Sequence, residues 1–237
     1  MAECEALVEL NAVRKDYRGL RPLRVQRLEL RAGESVALVG VDAAMSEVLI
    51  NLITGAQLPD EGDVKVFGRP THAVTAVDDW VSELDRFGLI SDRAVLVDRF
   101  TAEQNLALPL TLEIEPMPDS VRADVHRLAE EVGLTAEELA KPTVELTGAA
   151  QLRLRLGRAL AMRPRVLLAE HPNATLTREE SPSFAADFRR ITSRRGLGSL
   201  VTTADAAFAR ACADRVLEFE PATGALKKMS SLRRWFS

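Results

Sequence analysis

"SVALVGVDAAMSEVLINLITG", residues 35–55, decides how the chain is read. An apolar run ends at Gly40, and Val48, Leu49, Leu52 and Ile53 then fall on one helical face, with Gly55 as the stop. A hydrophobic strand, a tight loop opened by glycine and an amphipathic helix form the setting of a phosphate-binding loop, whose pattern is G-x-x-x-x-G-K-[ST]. Of that pattern only Gly40 is present. Met45 stands at the second glycine, Ser46 at the lysine and Glu47 at the hydroxyl residue.

The substitutions oppose phosphate chemistry. Ala43 and Met45 occupy positions where glycine would permit a positive φ, and alanine held in that conformation costs about 1 kcal/mol. Ser46 supplies no cation, while Asp42 and Glu47 add two negative charges. At an effective dielectric near 20, one such charge about 4 Å from a phosphate charge costs about 4 kcal/mol. Taken alone, the loop reads as a strand–turn–helix without a ligand. Asp42 is expected to cap the helix beginning near Ala43 and to fill the place of a phosphate, because a carboxylate accepts from the unpaired N–H groups at a helix start. Glu47 has a second reading as a Mg²⁺ ligand.

Around this segment the chain is ordinary. It has 237 residues, 46% hydrophobic and 28% charged, with a net charge of −4. That is enough to bury a sizeable core, and it offers no basic excess for nucleic acid. Cys4 and Cys212 form no ligand pattern, in keeping with a reducing compartment. "MAECEALVEL" lacks a basic n-region, so no signal peptide is expected. No apolar run approaches the roughly 20 residues of a membrane span.

The elements alternate. "LVEL" and "VQRLELRAGESVALVG" read as strands joined by the "RAGE" turn, and "DVKVF" as another strand. "VDDWVSELDRFGLIS" reads as helix then strand. The middle is helical: Pro118 opens a helix that Gly133 ends, Thr135 caps "AEELA", and "GAAQLRLRLGRALAM" repeats Leu152, Leu156 and Leu160 every four residues. "RVLLAE" suits a central parallel strand. Helix, strand, helix and a two-stranded hairpin follow. The tail "KKMSSLRRWFS" is basic; either a terminus without fixed structure or a contact with an acidic surface explains it.

The order and spacing of these segments resemble the nucleotide-binding subunit of an ATP-binding cassette (ABC) transporter. "YRGL", "LRAGESVALVG", "LPDEGDVKVFGRP", "VELTGAAQLRLRLGRALAMRPRVLLAEHP", "SLVTT" and "ADRVLEFE" carry the likeness over nearly the whole chain, most specifically around "RLGRALAMRPRVLL". The resemblance implies an α/β, ABC-type P-loop ATPase fold: a parallel-sheet core with antiparallel N-terminal strands and an inserted helical lobe. It implies one domain over 1–237, with 1–91 and 165–237 as core and 92–164 as lobe. It implies ATP and Mg²⁺ as cofactors, a membrane permease subunit as partner, a homodimer or a heterodimer with another ABC ATPase subunit, and a cytoplasmic position at the inner face of the membrane.

By that resemblance the nucleotide site comprises Tyr17 as adenine-stacking aromatic, the loop residues Gly40, Asp42, Ala43, Ala44, Met45, Ser46, Glu47 and Val48, and Asp92 in the segment joining core and lobe. Glu170 takes the metal-binding position at the end of the Walker B strand, with Glu47 as a second candidate ligand. His171 takes the place of the water-positioning Glu, Thr203 that of the switch histidine, and Thr177 that of a later Asp. The signature is the least altered motif: Thr147 keeps a hydroxyl and Gly148 a close backbone approach. In the family this motif completes the ATP site of the neighbouring subunit.

Three functions are therefore in competition. The first is a degenerate ABC subunit acting as the structural or regulatory partner of a permease, of an active ATPase subunit, or of both. The second is an active but unusual Mg-ATPase using Glu47, Glu170 and His171. The third is a protein-interaction module free of any transporter.

Overall fold

The computed structural model describes residues 5–74 and 76–229. In chain order the main elements are β1 (Ala6–Lys15), β2 (Leu23–Arg31), β3 (Ser35–Val39), α1 (Ala43–Ile53), β4 (Glu61–Val66), β5 (Arg69–Pro70), α2 (Val77–Leu84) and β6 (Phe87–Ile90). The helices α3 (Ala102–Ala107), α4 (Asp119–Val132), α5 (Ala136–Ala140) and α6 (Gly148–Ala161) follow. The chain closes with β7 (Val166–Glu170), α7 (Glu180–Arg195), β8 (Gly198–Thr203), α8 (Ala206–Cys212), β9 (Arg215–Glu220) and β10 (Ala225–Lys228).

Two sheets form. An antiparallel sheet runs β2-β1-β4-β5, with Leu10 opposite both Leu28 and Val64. A second sheet runs β10-β9-β3-β8-β7-β6 and is parallel except for the edge pair of β10 with β9. Its central strands β3, β7 and β8 are buried on both faces, as a covered parallel sheet requires. In β7, Val166 and Leu168 enter the core shared with α1 and the antiparallel sheet. Leu167 and Ala169 enter the core shared with α3, α4, α6, α7 and α8. The period-two alternation of a strand thus divides the hydrophobic residues between two layers.

The helices between β6 and β7 pack into that second core rather than forming a separate one. The "LRLRL" stretch is helical, with Leu152, Leu156 and Leu160 buried as the four-residue repeat predicts. Gly88 lets α6 lie close on β6, since a Cβ there would sit 2.4 Å from the Ala159 carbonyl oxygen. Pro118 precedes α4, Gly133 ends it in the left-handed conformation, and Thr135 forms a reciprocal capping box with Glu138. The hairpin β9–β10 is also as the sequence predicts. The basic tail beyond Met229 lies outside the described residues. No helix among the described residues is long and apolar enough to cross a membrane.

Candidate functional site at the start of the first helix

β3 delivers the chain to Gly40 at the carboxyl end of the parallel sheet, the end at which open α/β sheets bind ligands. Gly40 has φ +91°, and an added Cβ would lie 3.1 Å from the Phe219 carbonyl oxygen of β9, so glycine is required here. Val41 turns inward and is buried. Asp42 is the N-cap of α1: the Met45 N–H donates to its Oδ1 at 2.8 Å, and the Ser46 N–H donates to its carbonyl oxygen at 2.9 Å. The expected cap is therefore present, and two amides at the helix start already have partners.

One sequence expectation is corrected. Ala43 and Met45 are not held at positive φ; they lie in α1, which begins at Ala43. Without glycines, the segment winds into a helical turn in place of an open cradle, so the strain inferred for alanine does not arise. The turn faces Asp42, Ala43, Ala44 and Glu47 outward and buries Met45, Ser46 and Val48. Ser46, at the position of the lysine, is fully buried, and its Oγ lies 2.7 Å from Thr202 Oγ1 in β8. Its hydroxyl points into the sheet.

The outward Glu47 meets a residue that the sequence reading missed. Arg93 uses all three guanidinium nitrogens. Nε and Nη2 form a two-point fork on the Glu170 carboxylate, with Nε 3.3 Å from Oε2, while Nη1 lies 3.2 Å from Glu47 Oε1 and 3.5 Å from Asn51 Oδ1. Such forked, charge-assisted pairs are the strong ones. Ser91 adds a hydroxyl donated to Glu170 Oε2 at 2.7 Å. The hydrogen bond to Glu170, opposed in part by burial, holds the Arg93 guanidinium above its ordinary pKa. In sequence, "SDRAV" offers no signal that distinguishes this arginine from any surface arginine; only the strand order brings it to β7.

This arrangement weighs against the Mg²⁺ reading of Glu47 and Glu170. Both carboxylates face one guanidinium, and among the described residues no three Asp, Glu, His or Cys side chains converge to hold a metal. The guanidinium at this position is tied to protein carboxylates, and both carboxylates that could meet Mg²⁺ are paired with it. The residues present do not fit a metal–nucleotide complex.

The other candidates are also engaged structurally. His171 follows β7 with φ +43° and its N–H donates to the Thr202 carbonyl oxygen at 2.9 Å. Its Nε2 is buried and has no hydrogen-bond partner, so no group orients it as a base. Asp92 is exposed and pairs with Arg155 at 3.5 Å, while the neighbouring Ser91 is the side chain turned toward Glu170. Thr203 is buried and donates to Asn173 Oδ1 at 2.8 Å, which ties β8 to the turn after β7. Tyr17 is half-buried beside the core of α1, and burial together with the Asp42 charge raises its pKa. Thr177 exchanges hydrogen bonds with Glu180 ahead of α7.

The signature segment differs from these. Thr147 caps α6, accepting from the Ala150 N–H at 3.2 Å, and Gly148 is packed so that a Cβ would sit 3.0 Å from the Thr175 carbonyl oxygen. Thr147 and Gly148 are nevertheless exposed, and Gln151 braces the approach by donating to the Thr143 and Leu146 carbonyl oxygens. This helix N-terminus is presented outward on a close-packed support.

Comparison with known proteins gives a consistent answer. The family described as "ABC transporter" matches residues 23–174. The lipoprotein-releasing system ATP-binding protein LolD of Anaeromyxobacter dehalogenans is 34% identical over 219 residues, covering 89% of this chain and 89% of that protein. The methionine import ATP-binding protein MetN of Brucella abortus is 30% identical over 213 residues, covering 89% of this chain and 56% of that protein. The chain thus spans just over half the length of its MetN relatives. The dimeric structure of MJ0796, a bacterial ABC transporter cassette, superposes with a TM-score of 0.77 at 21% identity, covering 95% of this chain and all of that one. CbiO1 of Clostridium perfringens, part of the ABC transporter complex cbiONQ, gives 0.79 at 17% identity over 96% of this chain and 88% of that one.

Proposed function

The chain belongs to the ABC transporter family, and we propose that it is a degenerate ATP-binding-type subunit that works without nucleotide of its own, as the structural or regulatory partner of a membrane permease. The observation that carries this reading is the Arg93 guanidinium set between Glu47 of the phosphate loop and Glu170 of the Walker B strand. An active site needs a lysine and a metal on the phosphates and a carboxylate or equivalent on the attacking water. Here the loop is a capped helical turn, the metal position is neutralised internally, and Thr203 is turned into the fold.

The exposed signature supports a pairing role. Thr147 and Gly148 are the motif residues best placed to complete a neighbour's nucleotide site, which favours a heterodimer with an active ABC ATPase subunit over a homodimer of two silent copies. A permease would dock in the groove between β6 and the helical segment, lined by Leu84, Leu89, Leu96, Arg158 and Met162, with Val95 and Val97 exposed at its edge. On this reading the protein sits peripherally at the inner face of the membrane through its partner.

The deciding experiment is calorimetry of the purified chain with ATP, with and without Mg²⁺. Binding weaker than millimolar is expected, and clear micromolar binding would overturn the proposal. Crosslinks from a co-purified permease are expected in the β6 groove; crosslinks confined to the opposite face would contradict the docking site.

A further inference from the structure

Arg93 joins side chains from three elements, the first helix, the end of β7 and the segment after β6. Glu47 lies on α1, Glu170 ends β7, and Arg93 itself is in the segment that follows β6. Within that segment the Arg93 N–H donates to Ser91 Oγ at 3.1 Å; from the helices, Arg158 of α6 donates to the Val95 carbonyl oxygen at 2.7 Å and Asn105 of α3 accepts from the Val97 N–H at 2.9 Å. Ala94 and Leu96, which alternate with these contacts, line the groove described above.

We propose that Arg93 is a built-in tether, holding the groove-lining segment to the first helix and to β7 in one fixed arrangement with no bound ligand. This rests on the reading that the chain works without nucleotide, and it adds how the groove is kept shaped. A forked pair to Glu170, whose side chain is only 10% exposed, anchors the guanidinium, and the half-exposed Glu47 fixes its third nitrogen. Segments of this kind are otherwise drawn from the least stable parts of a fold, because few buried contacts hold them. Among residues 91–99, Ser91 and Leu96 are buried and most of the rest are exposed; Asn105 clasps Val97 through its N–H at 2.9 Å and its carbonyl oxygen at 3.0 Å, and Arg93 is the side chain of the stretch before Leu96 that reaches both α1 and β7. The groove is then preorganised for a partner, which lowers the ordering cost of docking.

The test is hydrogen exchange read by mass spectrometry on the full chain, comparing wild type, Arg93→Ala, Arg93→Lys and Glu47→Gln, each with and without Mg-ATP. In wild type, peptides covering 91–98 are expected to exchange at the same rate with and without Mg-ATP. Without nucleotide, Arg93→Ala should raise that rate by about fivefold, and Arg93→Lys, which keeps the charge but not the fork, by less. Glu47→Gln should cause a smaller rise and serves if Arg93→Ala fails to fold. Raising the salt concentration should loosen the same peptides in wild type. Unchanged exchange at 91–98 in Arg93→Ala, or in Glu47→Gln where the alanine variant does not fold, would overturn the tether. Protection of residues 40–48 by Mg-ATP in wild type would instead overturn the nucleotide-independent function, and would leave the nucleotide-free comparison standing.

Discussion

The hydroxyl of Ser46 lies 2.7 Å from the hydroxyl of Thr202, both fully or almost fully buried, so the position at which an active relative needs a cation is bonded into the parallel sheet. Thr202 sits in β8 between Leu38 of β3 and Glu170 of β7, and its Oγ1 also approaches the His171 N–H and the Ala169 carbonyl oxygen. One buried hydroxyl pair thus links α1 to the strand end that carries Glu170 and His171.

Thr202→Val keeps the shape and removes the oxygen. It leaves Ser46 Oγ buried without its partner, which should cost about 1–3 kcal/mol of unfolding free energy. Ser46→Ala added to it should cost less than the sum of the two single changes, because the double variant removes both polar groups. Denaturant unfolding of the four proteins measures this, and strict additivity would show that the pair is not coupled.

Asp42→Ala should destabilise the chain by about 0.5–2 kcal/mol, since the Met45 N–H loses its acceptor at the start of α1. Asp42→Asn keeps an acceptor and should cost less, losing only the interaction of charge with the helix dipole. An Asn variant as unstable as the Ala variant would mean that the charge, and not the hydrogen bond, matters.

Restoring the loop tests whether chemistry alone was lost. Met45→Gly, Ser46→Lys and Glu47→Ser together should improve ATP binding, because they remove one acid, return the cation and allow the helix start to open. Ser46→Lys alone should bind no better than wild type and melt at lower temperature, since the lysine enters a fully buried position. Calorimetry and thermal melting separate the two outcomes.

The acid limb of stability should depend on Glu131. Its carboxyl is held below the ordinary carboxylate range, chiefly by the Arg195 hydrogen bonds. A depressed folded-state pKa contributes stability above the unfolded value, and that contribution is lost as pH falls through the folded value. Glu131→Gln should therefore lower the melting temperature at neutral pH and show a shallower fall on acidification than wild type. Parallel pH–melting curves for the two proteins would rule this out.

Much of the architecture is legible because it follows from local rules. The continuous apolar run in "VLLAE", glycines at 55 and 133, and caps at Asp42 and Thr135 each act within a few residues, and each appears where the pattern puts it. The "LRLRL" stretch is settled by the longer leucine repeat, because burial along α6 is decided over four turns and not over five residues. The candidate site was less legible. Glu47 and Glu170 are both visible as acids, but their distance from each other and from a cation is a property of strand order.

From the sequence alone came the family's order of segments, the loss of the phosphate-loop lysine and glycines, the added acids, and the surviving Thr147 and Gly148. Those are matters of residue type and spacing. Only the tertiary structure decided that Ala43 and Met45 wind into a helix without strain, that Ser46 turns inward to Thr202, and that Arg93 takes the place between Glu47 and Glu170. The reason is that β6 and β7 are neighbours in the sheet though 75 residues lie between them, so a charge on one segment finds its partners only once the strands have paired.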